Sequence, residues 1–230
     1  MNILAIDTAT EACSAAVFKR GQLYERYQWA PREHNRLILP MVSELLVEAG
    51  LKPTALDAIA FGCGPGSFTG VRIAAGVTQG IAFALDLPVI PISTLAALSM
   101  EAMEDSDTVE VAYACIDARM NEVYWGIYER DRDGGVRLLG DELVTPAARV
   151  REVAGKSGIG IGSGWATYPE ALGGQLGVGL GNVLSDRFPK AAFIAKLGAL
   201  QLKRGGGLPA HQALPVYLRD NVARKPGERP

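Results

Sequence analysis

Ser67 stands in the string Phe61-Gly62-Cys63-Gly64-Pro65-Gly66-Ser67-Phe68-Thr69-Gly70-Val71-Arg72, a glycine loop between an apolar run and an alanine-rich one. Such a loop can cradle a phosphate at a helix N-terminus, bind a dinucleotide, or present a serine nucleophile. The spacing fails all three patterns. A P-loop needs Gly-Lys-Ser/Thr, and no lysine lies between Pro53 and Gly155. The dinucleotide fingerprint, counted from Gly64, meets Thr69 where its third glycine belongs. The nucleophile elbow needs glycine two positions before the serine, and Pro65 stands there. A structural or docking turn that takes a strand into a helix fits best, with glycines where the backbone bends or is closely approached, and an anion site at the helix N-terminus outside these three patterns stays open.

Ser67 would also need a base. His34 and His211 are the only histidines, and neither has a suitable carboxylate pair nearby in sequence. Two histidines and three cysteines (Cys13, Cys63 and Cys115) scattered about fifty residues apart are a poor metal inventory, so neither metal nor cofactor is expected. His34 is expected to cap or flank a helix. Asp7 and Thr8 end the first apolar run, and Asp117 ends a similar run near the middle of the chain. Either hairpin could face a nucleotide cleft, or its aspartate could simply bond its own backbone.

The elements that must position these residues follow from hydrophobic period and turn residues. Strands are expected at 2–6, 12–18, 22–29 and 57–61, and again at 88–92. Helices are expected from Pro31 to about Ala49, with Pro40 as a kink or late start, then at 69–85 and 94–103. Strands at 109–116, 122–128 and 136–144 follow, then a helix at 146–154, a glycine-rich strand at 158–162 and a helix at 191–203. The second half thus repeats the first loosely: three strands, then helices alternating with strands. That order describes an α/β protein of two actin-like (ribonuclease H-like) lobes, each a mixed sheet with flanking helices. The boundary falls at the polar Glu104-Asp105-Ser106-Asp107, giving lobes 1–105 and 106–230. Residues 208–222 are a candidate to pack back on the first lobe, and 224–230 reads as a disordered tail.

Composition narrows the class. The chain has 230 residues, 48% of them apolar, enough for a sizeable core. A net charge of −2 gives no basic excess for gripping nucleic acid alone. Each cysteine sits in an apolar run, as buried reduced thiols of a cytosolic protein do. The first residues lack the basic flank of a signal peptide, and 76–85 is too short for a membrane span.

Two helices have an unusual make-up. The helix at 71–85 carries Ala74, Ala75, Gly76, Gly80, Ala82 and Ala84, small enough to admit another backbone. The helix at 35–48 has a wide apolar stripe. Tight packing on their own sheet or docking with a partner would each account for this. On the second reading His34, Leu37, Met41, Leu45, Val71, Ala74, Ala75 and Thr78 are the candidate partner-binding residues.

The strings Ile3-Leu4-Ala5-Ile6-Asp7-Thr8-Ala9-Thr10, Gly64-Pro65-Gly66-Ser67-Phe68-Thr69-Gly70-Val71-Arg72 and Pro88-Val89-Ile90-Pro91-Ile92-Ser93-Thr94-Leu95 resemble the bacterial TsaB (YeaZ) family. Asp117-Ala118-Arg119 with Glu122-Val123-Tyr124, and Pro215-Val216-Tyr217-Leu218-Arg219, fit it too. The resemblance is dense over the first hundred or so residues and sparse from 136 to 207. It implies an actin-like fold and a non-catalytic subunit in making threonylcarbamoyladenosine in tRNA. The implied partners are a TsaD-type transferase and a TsaE-type ATPase, with a homodimer when the chain is alone. It implies contact with tRNA only through the complex, no membrane, and a cytoplasmic location. TsaD, the catalytic paralogue, has a His-x-x-x-His metal pair after the strand matching 88–92. Here those positions are Thr94 and Leu98.

Overall fold

The computed structural model describes residues 1–105, 108–153, 156–176 and 180–219. The chain opens with β1 (Asn2–Asp7), β2 (Ala12–Lys19) and β3 (Gln22–Trp29), then α1 (His34–Glu48), β4 (Ala58–Gly64), α2 (Phe68–Leu85), β5 (Val89–Ser93) and α3 (Thr94–Asp105). It continues with β6 (Val111–Asp117), β7 (Glu122–Arg130), β8 (Val136–Leu138), β9 (Leu143–Pro146), β10 (Gly158–Ile161), α4 (Ser163–Thr167), α5 (Pro169–Leu176), β11 (Leu180–Leu184) and α6 (Ala191–Lys203).

The strands make two mixed sheets of like topology. The first runs β3-β2-β1-β4-β5. β1 pairs antiparallel with β2 and parallel with β4, in register from Ile3↔Ala58 to Ile6↔Phe61. The second runs β8-β7-β6-β10-β11, again antiparallel on the β7 side of its first strand and parallel on the β10 side, with β9 paired to β7. The repeat of element order read from the sequence is therefore a repeat of strand order and direction.

Both faces of the first sheet are covered, so its central strands are continuously apolar. Leu4, Ile6, Ile59 and Phe61 point to α1 and α2, while Ile3, Ala5, Ala58 and Ala60 point to α3 and α6. The opposite face of α3 presents Leu95, Leu98, Ala102 and Met103 to Ala112, Ala114 and Ile116 of the second sheet. The far face of that sheet packs Tyr113, Cys115 and Trp125 under Trp165 and Leu172. The layers alternate helix, sheet, helix, sheet, helix.

Polar ties cross between the sheets. Glu101 of α3, almost fully buried, pairs with Lys190 at 2.6 Å and Arg187 at 3.3 Å. Glu142 accepts hydrogen bonds from Ser93 and Tyr128, and burial raises its carboxyl above the usual range. Residues after α6 return to the first sheet. Leu208 bridges Val89, Gln79 Nε2 donates to the Ala213 carbonyl at 3.0 Å, and the Val216 amide donates to Cys63 at 2.7 Å.

The second half departs from expectation in several places. The strand expected at 136–144 is two strands, parted by Gly140 at φ +78°. The helix expected at 146–154 is only a 3-10 turn, Ala147–Arg149, because Val150 returns to extended backbone. Helices α4 and α5 and strand β11 lie in a stretch whose glycines hide any hydrophobic period. Gly160 shows why: a Cβ there would sit 2.6 Å from the Trp165 indole, so the ring takes the space of a side chain on the glycine face of β10. Residues 106 and 107 at the expected lobe boundary, positions 220–222 of the returning segment and the tail 224–230 lie outside the described residues.

Candidate functional site

The glycine loop leaves β4 and enters α2 under restraint from the β1–β2 turn. The Ser67 amide donates to Ala9 at 2.7 Å, and the Thr8 hydroxyl donates to the Gly70 carbonyl at 2.7 Å. Thr94 at the start of α3 donates to the Pro65 carbonyl at 2.5 Å. The two chains touch so closely that a Cβ on Gly66 would lie 2.4 Å from Ala9 O, and one on Gly70 would lie 2.0 Å from Thr8 O. Contacts within the protein engage this backbone and account for the glycines.

Ser67 caps α2, its Oγ accepting from the Gly70 amide at 3.1 Å. The ring Nε2 of His34, buried at the start of α1, lies 3.2 Å from the Ala12 carbonyl. Each side chain that a nucleophile–base pair would need therefore has a structural partner. Ser67→Ala is expected to lower the unfolding free energy by about 1 kcal/mol, the usual worth of an N-cap, read from the urea midpoint.

A cleft of about 490 Å³ opens beside the loop, between the β1–β2 turn, the β6–β7 turn and residues 216–219. Asp117 lines it and pairs with Arg119 at 3.1 Å; Arg119 also reaches across to Glu11 at 3.0 Å. Asp7 and Thr8 lie beneath it, fully buried. The Asp7 Oδ1 accepts from the Ala9 amide at 3.2 Å, while Oδ2 has no hydrogen-bond partner and lies 1.9 Å from where a Gly62 Cβ would stand. Burial pushes this carboxyl from 3.8 up to about 7. At the cleft mouth the Arg72 guanidinium lies 3.3 Å above the Phe68 ring and 4.8 Å from that of Tyr217.

All three cysteines are free and buried, and burial pushes the thiols of Cys13 and Cys63 up to about 12, far from thiolate reactivity. Thr94 is buried on its bond to Pro65, and Leu98 is buried in the α3 core. A hydroxyl and a hydrocarbon side chain thus stand at 94 and 98, and neither can serve as an imidazole ligand.

The structure turns most of the candidate docking residues inward. Leu45, Ala74 and Thr78 are wholly buried, and Val71, Ala75, His34 and Met41 nearly so; Leu37 is half-buried. They form the inner face of α1 and α2 against the chain's own sheet, so a charge placed at Ala75 or Leu46 would strike the core. The outward face is different. Arg72, Gly76 and Gly80 line one side of α2, and a Cβ on either glycine would meet nothing within 4 Å. Phe83 is 84% exposed on the same helix, and Val47 and Leu39 are 78% and 53% exposed on α1. The sequence signal was present: Arg72, Gly76, Gly80 and Phe83 recur at helical spacing, with arginine marking the side away from the sheet.

The span expectation is also corrected. Phe68–Leu85 is 18 residues with mean hydropathy 1.3, enough by length and composition to cross a membrane. Here the helix joins two strands of one sheet and buries Val71, Ala74, Ala75, Thr78 and Ala82 against it.

Comparison with known proteins agrees with this architecture. The family model of TsaD, tRNA N6-adenosine threonylcarbamoyltransferase, matches residues 28–162. The tRNA threonylcarbamoyladenosine biosynthesis protein TsaB of Escherichia coli K12 is 41% identical over 233 residues, covering 98% of this chain and 97% of that one. TsaB of Haemophilus influenzae is 37% identical, covering 98% and 96%. The solved structure of YeaZ from Pseudomonas aeruginosa superposes with a TM-score of 0.88 at 45% identity, covering 94% of this chain and 99% of that one. With full-length identity, a common fold and a TsaD-type segment at its centre, this chain belongs to the TsaB (YeaZ) family.

Proposed function

We propose that this chain is a non-catalytic subunit in the transfer of threonylcarbamoyl to tRNA adenosine. It binds and activates a TsaD-type transferase, works with a TsaE-type ATPase, and pairs with a second copy of itself when alone. It acts in the cytoplasm and meets tRNA only through the complex. One observation carries this reading: an 18-residue apolar helix, α2, lies on the outer layer with Gly76, Gly80 and Phe83 uncovered, and α1, which packs against it, exposes Leu39 and Val47. Large apolar side chains left exposed on two neighbouring helices favour a partner over water. Thr94 and Leu98, in place of a histidine pair, support a subunit that is not itself the transferase.

Gly80→Arg and Phe83→Asp test it, because both sites are exposed and tolerate change. Their unfolding midpoints should match the parent within about 0.5 kcal/mol. Self-association in sedimentation and pull-down of the TsaD-type partner should each weaken by about 30-fold or more, as loss of an interface hot spot does. In the reconstituted modification reaction, tRNA product should fall with the loss of binding. If both associations persist in the two variants, the docking face lies elsewhere.

A nucleotide-binding enzyme of the actin and sugar-kinase type is the second reading, favoured by the cleft. It would require Asp7 to reach a nucleotide's metal, and Asp7 lies under Gly62 rather than in the cleft.

A further inference from the structure

The edge of the first sheet at β3 is the longest uncovered strand edge among the described residues. We propose that it binds an extended segment of a partner protein by antiparallel strand addition, the segment alternating apolar and basic residues. The site is independent of the docking reading above, because α2 packs on β4, toward the other edge of the sheet.

A free edge invites pairing, and proteins usually blunt it with proline, a bulge, guarding charges or a covering segment. The opposite edge, β5, is covered: Leu208 exchanges two bonds of 2.8 Å with Val89. The second sheet ends in strands of three, four and five residues. β3 has eight residues, no proline, and an unbroken register with β2 from Trp29↔Ala12 to Gln22↔Lys19. Its two charged side chains turn back to this chain's own helices. The Glu25 carboxyl accepts from the Ala192 amide at 2.9 Å, and Arg26 is held by Glu48 at 2.5 Å and Glu44 at 3.6 Å.

Register fixes which backbone groups face out. The Ala30 amide donates to the Glu11 carbonyl at 3.0 Å on the same ladder, so the even-numbered residues of β3 bond to β2. The N–H and C=O of Leu23, Glu25, Tyr27 and Trp29 then point outward, and the Glu25 carbonyl takes a long bond from Arg26 Nη1 at 3.3 Å. These four residues also share one face. On it Leu23, Tyr27 and Trp29 are 37%, 41% and 54% exposed, and Trp29 meets Phe188 edge to face at 4.7 Å. An added strand would lay every second side chain on this apolar shelf. The other face holds two exposed carboxylates, Glu44 and Glu48, for the one Arg26 guanidinium, while Lys19 Nζ donates to the Ala49 carbonyl at 2.6 Å. That excess of negative charge favours basic residues on the second face of the added strand.

The test uses the full chain and a short capped peptide alternating valine and lysine, followed by amide shifts and hydrogen exchange. The expected result is saturable binding that slows exchange at Leu23, Glu25 and Tyr27, whose amides β2 leaves free. Directly opposed residues of an antiparallel pair share a face, so the valines supply the bonding amides. N-methylation of the valines should therefore abolish binding, and N-methylation of the lysines should leave it intact. Glutamate in place of lysine should weaken binding about tenfold, as should Trp29→Ser. The two N-methylated peptides act on the parent protein, so they decide the matter even where the urea midpoint shows that Trp29→Ser does not fold. Equal binding of those two peptides, shifts centred on α2 instead of β3, or equal affinity for the lysine and glutamate peptides would overturn the proposal. So would protection of the same amides in the free chain as its concentration rises, which would put a second copy on this edge.

Discussion

Gly70→Ala lowers the unfolding free energy by about 2–3 kcal/mol, whereas Gly76→Ala, six residues along the same helix, raises it by about 0.5–1 kcal/mol. Both changes add one methyl group to one helix, so propensity alone predicts a gain at each. The sign splits because of what surrounds the new atom. At Gly70 it would lie 2.0 Å from the backbone oxygen of Thr8, which cannot rotate away. The first turn of α2 must then retreat from the β1–β2 turn, breaking the Thr8–Gly70 hydrogen bond and straining the Ser67–Ala9 contact. At Gly76 nothing lies within 4 Å. Urea unfolding of the two variants beside the parent measures the split. A gain at both positions would mean that the loop does not press on β1 as described. The same retreat tilts the outward face of α2, so Gly70→Ala should weaken partner binding as well, whereas Gly76→Ala should do so only if the partner needs the space left by that missing methyl group.

Asp7→Asn changes how stability depends on pH. The Asp7 carboxyl titrates near 3.8 when unfolded and near 7 when folded, raised chiefly by burial and only partly opposed by its bond from the Ala9 amide. The folded state therefore binds more protons than the unfolded state between those values, and stability falls as pH rises through that window. The full loss is on the order of 4 kcal/mol, at about 1.4 kcal/mol per unit, and little more is lost above pH 7. Asparagine keeps the bond to Ala9 and carries no charge, so this slope disappears. Its amide N–H₂ has no partner beside Gly62, which costs about 1–3 kcal/mol at every pH. The curves of parent and variant should therefore cross: the variant is less stable below about pH 4 and more stable by about 1–3 kcal/mol at pH 8. Glu25 and Glu142 are also raised by burial and slope the same way, but they are common to both proteins and cancel in the difference. Parallel curves would show that Asp7 is ionised and solvated in the folded state.

Apolar runs, turn residues and motif strings are enough to read the two-sheet α/β plan, the first-half elements to within three residues, and the family. Continuous apolar runs such as Ile3 to Ile6 fit only strands covered on both faces, and glycine spacing excluded the known phosphate and nucleophile loops without coordinates. The sequence did not reveal α4, α5 or β11, where glycine stands in for the side chains whose period would show them; Gly160 is bare because the chain turns after β10 and lays the Trp165 indole over it. The tertiary structure alone decided three further matters. It sealed Asp7 beneath Gly62 rather than in the cleft. It explained Gly66 and Gly70 by the backbone of a turn some sixty residues away. It also turned Ala74, Ala75 and Thr78 inward and left Gly76, Gly80 and Phe83 outside. Small residues let a helix approach either its own sheet or a partner, and composition is the same in both cases; only the direction of each Cα–Cβ bond, fixed when α2 docks on β4, separates the face that holds the fold from the face left open.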